Sequence, residues 1–169
     1  FRHVGRALRK VDGLAKATGA AVYTDDISLP GMLHAKLLRS PHAHARILAI
    51  DTTRVRQLSG VHGVITGEDL PVKFGILPWT QDETALAVGK VRHVGEPVAA
   101  VAAVDEDTAN AALKLIRVEY ELLHVYIDPF ESLSRHDPPI HEQHRSGNIS
   151  KHVHLSFGDV DTALSHADA

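Results

Sequence analysis

No cysteine occurs among the 169 residues. That excludes a disulfide framework, a thiolate metal site and an iron–sulfur cluster held by this chain itself. No apolar run approaches the roughly 20 residues that span a bilayer, and the N-terminus lacks the apolar core of a secretory signal. Neither sign of charge dominates: 18 Lys and Arg stand against 21 Asp and Glu, for a net charge of -3. Nothing electrostatic therefore points to nucleic acid or an anionic membrane as a partner. No Walker or Rossmann glycine signature cradles a phosphate, and no serine sits in a nucleophile elbow. Aromatic residues make up only 5%, with a single tryptophan, Trp79. These absences leave a soluble, intracellular chain, long enough for one compact domain with a real core and a tail.

What is present centres on Val91 to Leu123, VRHVGEPVAAVAAVDEDTANAALKLIRVEYELL. Pro97 to Val104 is an almost unbroken small-apolar run, suited to a strand covered on both faces. Asp105 can cap a helix, and Glu106 and Asp107 place negative charge in its first turn, where the dipole favours it. Ala109, Ala112, Leu113 and Ile116 repeat at helical spacing, with Lys114 and Arg117 as cations near the far end. Arg117 to Glu121 then alternates polar and apolar, as a half-buried strand does. The pattern predicts a strand–helix–strand unit.

Around it, residues 1–20 are basic and glycine-punctuated, read either as a solvated leader or as an arm pinned to a larger partner surface. Strands are predicted at Ala20–Tyr23, Met32–Leu38, Ala45–Ile50 and Val61–Ile65. A short helix starts at Asp51 or Thr52 and is stopped by Gly60 in a left-handed conformation. Gly67 to Pro71 is a turn or a single helical turn. Residues 72–90, VKFGILPWTQDETALAVGK, form a long connection, and a loop of this length in a compact domain is more often functional than idle. Another short helix begins near Asp128-Pro129. Residues 134–156 are polar, histidine-rich and weakly patterned, as a linker is. Residues 157–169 begin a helical element within which the sequence stops, so the chain reads as a piece of a longer protein.

Thirteen histidines invite a metal reading. His42 and His44, two apart, would point the same way on a strand, and His136, His141, His144, His152 and His154 crowd the tail. Zinc wants three or four converging ligands, and no carboxylate stands at a spacing that supplies them, so no metal ligand is assigned. Asp25-Asp26 and Asp82-Glu83 would diverge on a strand and are read as turn residues. No catalytic residue and no cofactor-binding residue emerges.

A series of motifs nonetheless resembles a known family. These are Ala21-Val22-Tyr23-Thr24-Asp25-Asp26-Ile27, Pro30-Gly31-Met32-Leu33-His34-Ala35 and Arg39-Ser40-Pro41-His42-Ala43-His44-Ala45-Arg46-Ile47. Gly60-Val61, Val64-Ile65-Thr66, Asp69-Leu70-Pro71, Lys90 through Ala100 and Val118-Glu119-Tyr120-Glu121 follow in consecutive order. From about Val4 to Leu133 the chain resembles the molybdopterin-binding large subunit of the xanthine oxidase family. The resemblance implies an α+β fold, an α/β-hammerhead domain with a mixed sheet and few short helices. It implies a hammerhead over residues 1–133 (1–20 as an arm), a linker over 134–156, and the start of a truncated molybdopterin-binding domain at 157–169, carried by Phe157-Gly158-Asp159-Val160-Asp161.

Within the family, Gly75-Ile76-Leu77-Pro78 before Asp82-Glu83-Thr84, and Gly147-Asn148-Ile149-Ser150-Lys151-His152, resemble the 4-hydroxybenzoyl-CoA reductases of aromatic degradation. These remove the ring hydroxyl of an aromatic CoA thioester. An aldehyde, purine or N-heterocycle hydroxylase is the alternative; a stand-alone binding or scaffold domain is the alternative of another class. The resemblance implies a whole enzyme with molybdopterin (molybdenum), 2Fe-2S clusters and FAD, none of them bound by this segment. It implies as partners the rest of the large subunit and iron–sulfur and flavin subunits, in a dimer of heterotrimers in the cytoplasm. Matching through Asp82-Glu83-Thr84 implies a substrate-channel position at Trp79, with Leu77 and Ile76 beside it. The competing reading of Trp79 is an aromatic plug for the domain's own core.

Overall fold

The computed structural model describes residues 2–70, 72–135, 137–144 and 146–167. Pro71 and His136, both singled out above, lie outside them. The chain divides after Leu33 into two compact units. The first holds helix α1 (Gly13–Ala17) and a 3-10 turn, Thr24–Asp26. The strand expected at Ala20–Tyr23 does not form. Asp26 Oδ2 instead accepts the Tyr23 N–H at 2.9 Å, and this local bond turns the chain where a ladder would extend it.

The second unit contains β1 (His34–Arg39), β2 (Ala45–Asp51), α2 (Thr53–Arg56), β3 (Val61–Thr66) and a 3-10 turn, Gly67–Asp69. There follow β4 (Lys90–Val91), β5 (Pro97–Ala103), α3 (Glu106–Leu113), β6 (Arg117–Leu122), α4 (Pro129–Ser134) and α5 (Val160–Ser165). Two three-stranded sheets result, ordered β1-β5-β3 and β4-β2-β6. Every pairing in them among the described residues is antiparallel, in place of the mixed sheet expected. The α+β hammerhead class stands. The strand–helix–strand unit, however, does not stay in one sheet: β5 is central to the first, β6 pairs with β2 in the second, and α3 carries the chain between them.

Small side chains explain the position of β5. Val98, Ala99, Val101 and Ala103 are buried, and alanine lets α3 lie close over β5 and β1. Asp105 Oδ1 accepts the Thr108 N–H at 2.6 Å, capping α3 as the sequence predicts. The helix ends earlier than expected: Lys114 is its C-cap, Ile116 lies beyond it, and Arg117 opens β6. Gly60 takes φ +85, and a Cβ there would meet Val104 Cγ2 at 3.0 Å, so glycine serves both the turn and the approach of β3 to the start of α3. One core gathers Val55, Val64, Ala99, Val101, Ala112 and Ile116; the other gathers Ala45, Ala87, Val91 and Val98. Ile50 and Val118 pack against both, joining the two sheets.

Candidate functional site

The long 72–90 connection is folded back on itself. Phe74 and Glu83 exchange both backbone hydrogen bonds at 2.9 Å, and Thr80 N–H donates to Leu77 C=O at 3.0 Å. Between these ties the chain makes a tongue whose tip carries the three predicted channel residues. Ile76 is 93% exposed, Leu77 45% and Trp79 47%. Trp79 belongs to neither core, so it is no plug for the domain's own interior. Lys151 Nζ lies 3.6 Å from the centroid of its ring, close enough for a cation–π contact.

At the base of the tongue, Asp82 does not act as a bystander in a turn. Its side chain is largely buried, and its Oδ2 faces His141 Nδ1 at 2.9 Å and His144 Nε2 at 4.0 Å. The Gln143 amide donates to the same oxygen. Sequence reasoning missed this grouping because it joins residues 59 and 61 apart in the chain. The local signal was the spacing His141-Glu142-Gln143-His144; its carboxylate partner was visible only in three dimensions.

Lys90 of β4, Arg92 just past it and Tyr126 hold the same segment down. Lys90 is nearly fully buried; its ammonium donates to Pro139 C=O at 2.6 Å and pairs with Glu142 Oε1 at 2.5 Å. Arg92 Nε donates to Ile140 C=O at 3.1 Å, Tyr126 O–H to Pro138 C=O at 2.9 Å, and Asn148 Oδ1 accepts the Ile140 N–H at 2.8 Å. Burial lowers the Lys90 ammonium below its ordinary pKa, and Glu142 opposes the shift. Burial alone would raise Glu142, but the Lys90 hydrogen bond and the charges of Lys90 and Arg92 outweigh it and leave the carboxyl below its usual range. Residues 138–142, read from sequence as part of a linker, are thus tied to Lys90, Arg92 and Tyr126 by named contacts.

The remaining histidine candidates separate. His42 and His44 precede β2 in a bend. His42 stands edge-on to Tyr120, with ring centroids 4.9 Å apart. His44 is buried, its Nδ1 bonded to His124 C=O at 2.5 Å and its Nε2 without a partner among the described residues. Burial lowers its pKa. His152 and His154 are exposed. The motif segments meet one another: Ser40 N–H donates to Glu96 C=O at 2.9 Å, Gly95 N–H to Ser40 C=O at 2.8 Å, and Arg39 to Gly95 C=O at 2.8 Å.

Residues 18–124 match the family model described as aldehyde oxidase and xanthine dehydrogenase, a/b hammerhead domain. The chain belongs to this family. It is 40% identical over 159 residues to a probable xanthine dehydrogenase subunit of Bacillus subtilis (strain 168), covering 93% of this chain and 21% of that protein. Against the nicotinate dehydrogenase large molybdopterin subunit of Eubacterium barkeri it is 37% identical over 170 residues, covering 99% and 39%. The solved CO dehydrogenase from Oligotropha carboxidovorans superposes with a TM-score of 0.70 at 38% identity, over 76% of this chain and 16% of that one. The chain spans about a fifth of the length of the xanthine dehydrogenase subunits it matches.

The hammerhead residues do not fit an iron–sulfur cluster. The chain has no thiolate. Its tightest glycines face its own backbone: a Cβ on Gly67 would meet Ala87 O at 2.5 Å, and one on Gly75 would meet Thr80 O at 2.5 Å. Those approaches pack the fold against itself at Gly67 and Gly75. Among the described residues no helix is long and apolar enough to cross a membrane.

Proposed function

We propose that this chain is the hammerhead domain of the molybdopterin-binding large subunit of a cytoplasmic oxidoreductase that hydroxylates a nitrogen heterocycle. In this reading it works with iron–sulfur and flavin subunits that carry the electrons away. The observation that carries the proposal is 40% identity along 93% of the chain to a xanthine dehydrogenase subunit, joined by 37% along 99% to a nicotinate dehydrogenase subunit. Xanthine and nicotinate are both flat nitrogen heterocycles. The reductive alternative, removal of the ring hydroxyl of 4-hydroxybenzoyl-CoA, rests on Gly75 to Pro78 and Gly147 to His152 and would run electrons in the opposite direction.

This domain's part is to supply one wall of the substrate channel. Such walls are apolar with a few placed polar groups, and they keep water from competing at the reacting centre. Ile76, Leu77 and Trp79, exposed at the tip of a tied tongue, have that character, and an indole face can stack on a planar ring. The decisive experiment assays the complete purified complex in both directions. Oxidation of purines or pyridines with an artificial acceptor supports the proposal. Turnover restricted to an aromatic CoA thioester with a reduced low-potential donor overturns it in favour of the reductase.

A further inference from the structure

Asp82, His141 and His144 place one ligand atom each so that all three lie within 4.8 Å of one another. We propose that these side chains form a binding site for a single divalent transition metal of zinc type, separate from any redox cofactor. Two imidazole nitrogens and one carboxylate oxygen are a donor set that zinc accepts, with bonds of about 2.0–2.2 Å. Ligand atoms around a tetrahedral ion of that size stand roughly 3.3 Å apart. The separations from Asp82, 2.9 Å to His141 and 4.0 Å to His144, straddle that spacing.

The wiring around Asp82 favours a cation. The side chains of Asp82 and His144 are 12% and 14% exposed, so water screens them little. One oxygen, Oδ2, is addressed at once by His141, His144 and the Gln143 amide. A doubly charged ion between the rings and the carboxylate satisfies that oxygen better than one imidazole N–H does, and each neutral ring has a lone pair to give it. The competing charge close by is already engaged: Arg92 donates to Ile140 C=O and reaches Glu142 at 3.4 Å. A cavity of about 230 Å3, bounded in part by Asp82, Thr84, Glu96 and His141, leaves room for a water as fourth ligand.

The test uses the complete protein, stripped with a chelator, dialysed and titrated with zinc. Metal is counted by mass spectrometry, and the zinc shell is read by X-ray absorption. One zinc per chain with two imidazole nitrogens is expected, bound at least about tenfold more weakly in Asp82→Asn and in His144→Ala. Replacing the exposed His152 and His154 by alanine should change nothing. If Asp82→Asn fails to fold, His144→Ala decides alone. Failure of the wild type to retain zinc overturns the site, as does zinc lost with His152 and His154 and kept in His144→Ala. Selective uptake of iron(II) over zinc overturns the metal class.

Discussion

His44 shows how one buried ring ties stability to pH. Its folded pKa lies below the ordinary 6.5, chiefly through burial, with the Lys90 and Arg92 charges adding to the shift and the His124 carbonyl and Glu142 opposing it. The unfolded chain therefore binds the proton first as pH falls, so stability is full above about 6.5 and declines below it. The wild type should lose denaturant resistance between about pH 7.5 and about pH 5.5, and His44→Gln should flatten that slope while keeping a donor for His124 C=O. An unchanged slope in the variant would remove His44 as the cause. Trp79 makes a residue-scale prediction of another kind. Half exposed and outside both cores, it can be cut to alanine with little loss of stability. In the complete complex Trp79→Ala should weaken turnover of the ring substrate about tenfold, the worth of one aromatic contact of about 1.4 kcal/mol, with molybdenum and iron content unchanged. Kinetics equal to the wild type would take Trp79 out of the channel wall.

At the scale of elements, α3 and the turn after it decide how the sheets are joined. Ile116 and Ala112 are buried in the first core, whereas Leu113 is only partly so. Ile116→Ala should cost about 2–5 kcal/mol. Leu113→Ala should cost less, and Ala112→Leu should destabilise by about 1–3 kcal/mol through overpacking against β5. Glu106→Ala, which removes the exposed pair with Lys36 and one of two first-turn negative charges, should be the mildest of the four. Equal losses at Leu113 and Glu106 in denaturant unfolding would refute this orientation of the helix, and a small loss at Ile116 would refute its place in the core. The local features of this region were legible in sequence because their causes are local: alanine and valine in β5, the Asp105 carboxylate before α3, Gly60 after α2. What did not show was the sheet that each strand joins. The alternation in Arg117–Leu122 announces a half-buried strand and says nothing about pairing with β2 in place of β5. Ala20–Tyr23 failed the other way, since four apolar residues look like a strand until Asp26 captures the Tyr23 amide. The Asp82 grouping was hidden for the same reason as the sheet order, since its members meet only when residues 137–149 return to the tongue.

Within the second unit, two of the family motifs, Arg39 to Ile47 and Lys90 to Ala100, prove to be parts of one clasp. The 39–44 bend grips the turn before β5 through Ser40 and Arg39, and Lys90 of β4 with the adjacent Arg92 grips residues 139–142. The first grip is two backbone hydrogen bonds of Ser40, which any sequence offers, with the exposed Arg39 guanidinium added. The second depends on two cations, one of them almost wholly buried. Removing the Lys90 ammonium leaves Pro139 C=O short of its donor, at a cost of about 1–3 kcal/mol, whereas the Glu142 carboxylate, 57% exposed, can turn to water or to Arg92. That cost falls on a short irregular segment and not on either core, so it should appear as local opening before global unfolding. Lys90→Met, which keeps most of the buried stem, should speed protease cleavage within residues 137–149 of the complete protein about tenfold, while the unfolding midpoint of the β-sheet cores moves little. Lys90→Arg should recover part of the protection by restoring a donor to Glu142. Cleavage at the wild-type rate in Lys90→Met would mean that Arg92, Tyr126 and the Asn148 bonds to Ser132 and Arg135 hold the segment without it, and Lys90 would not be its anchor.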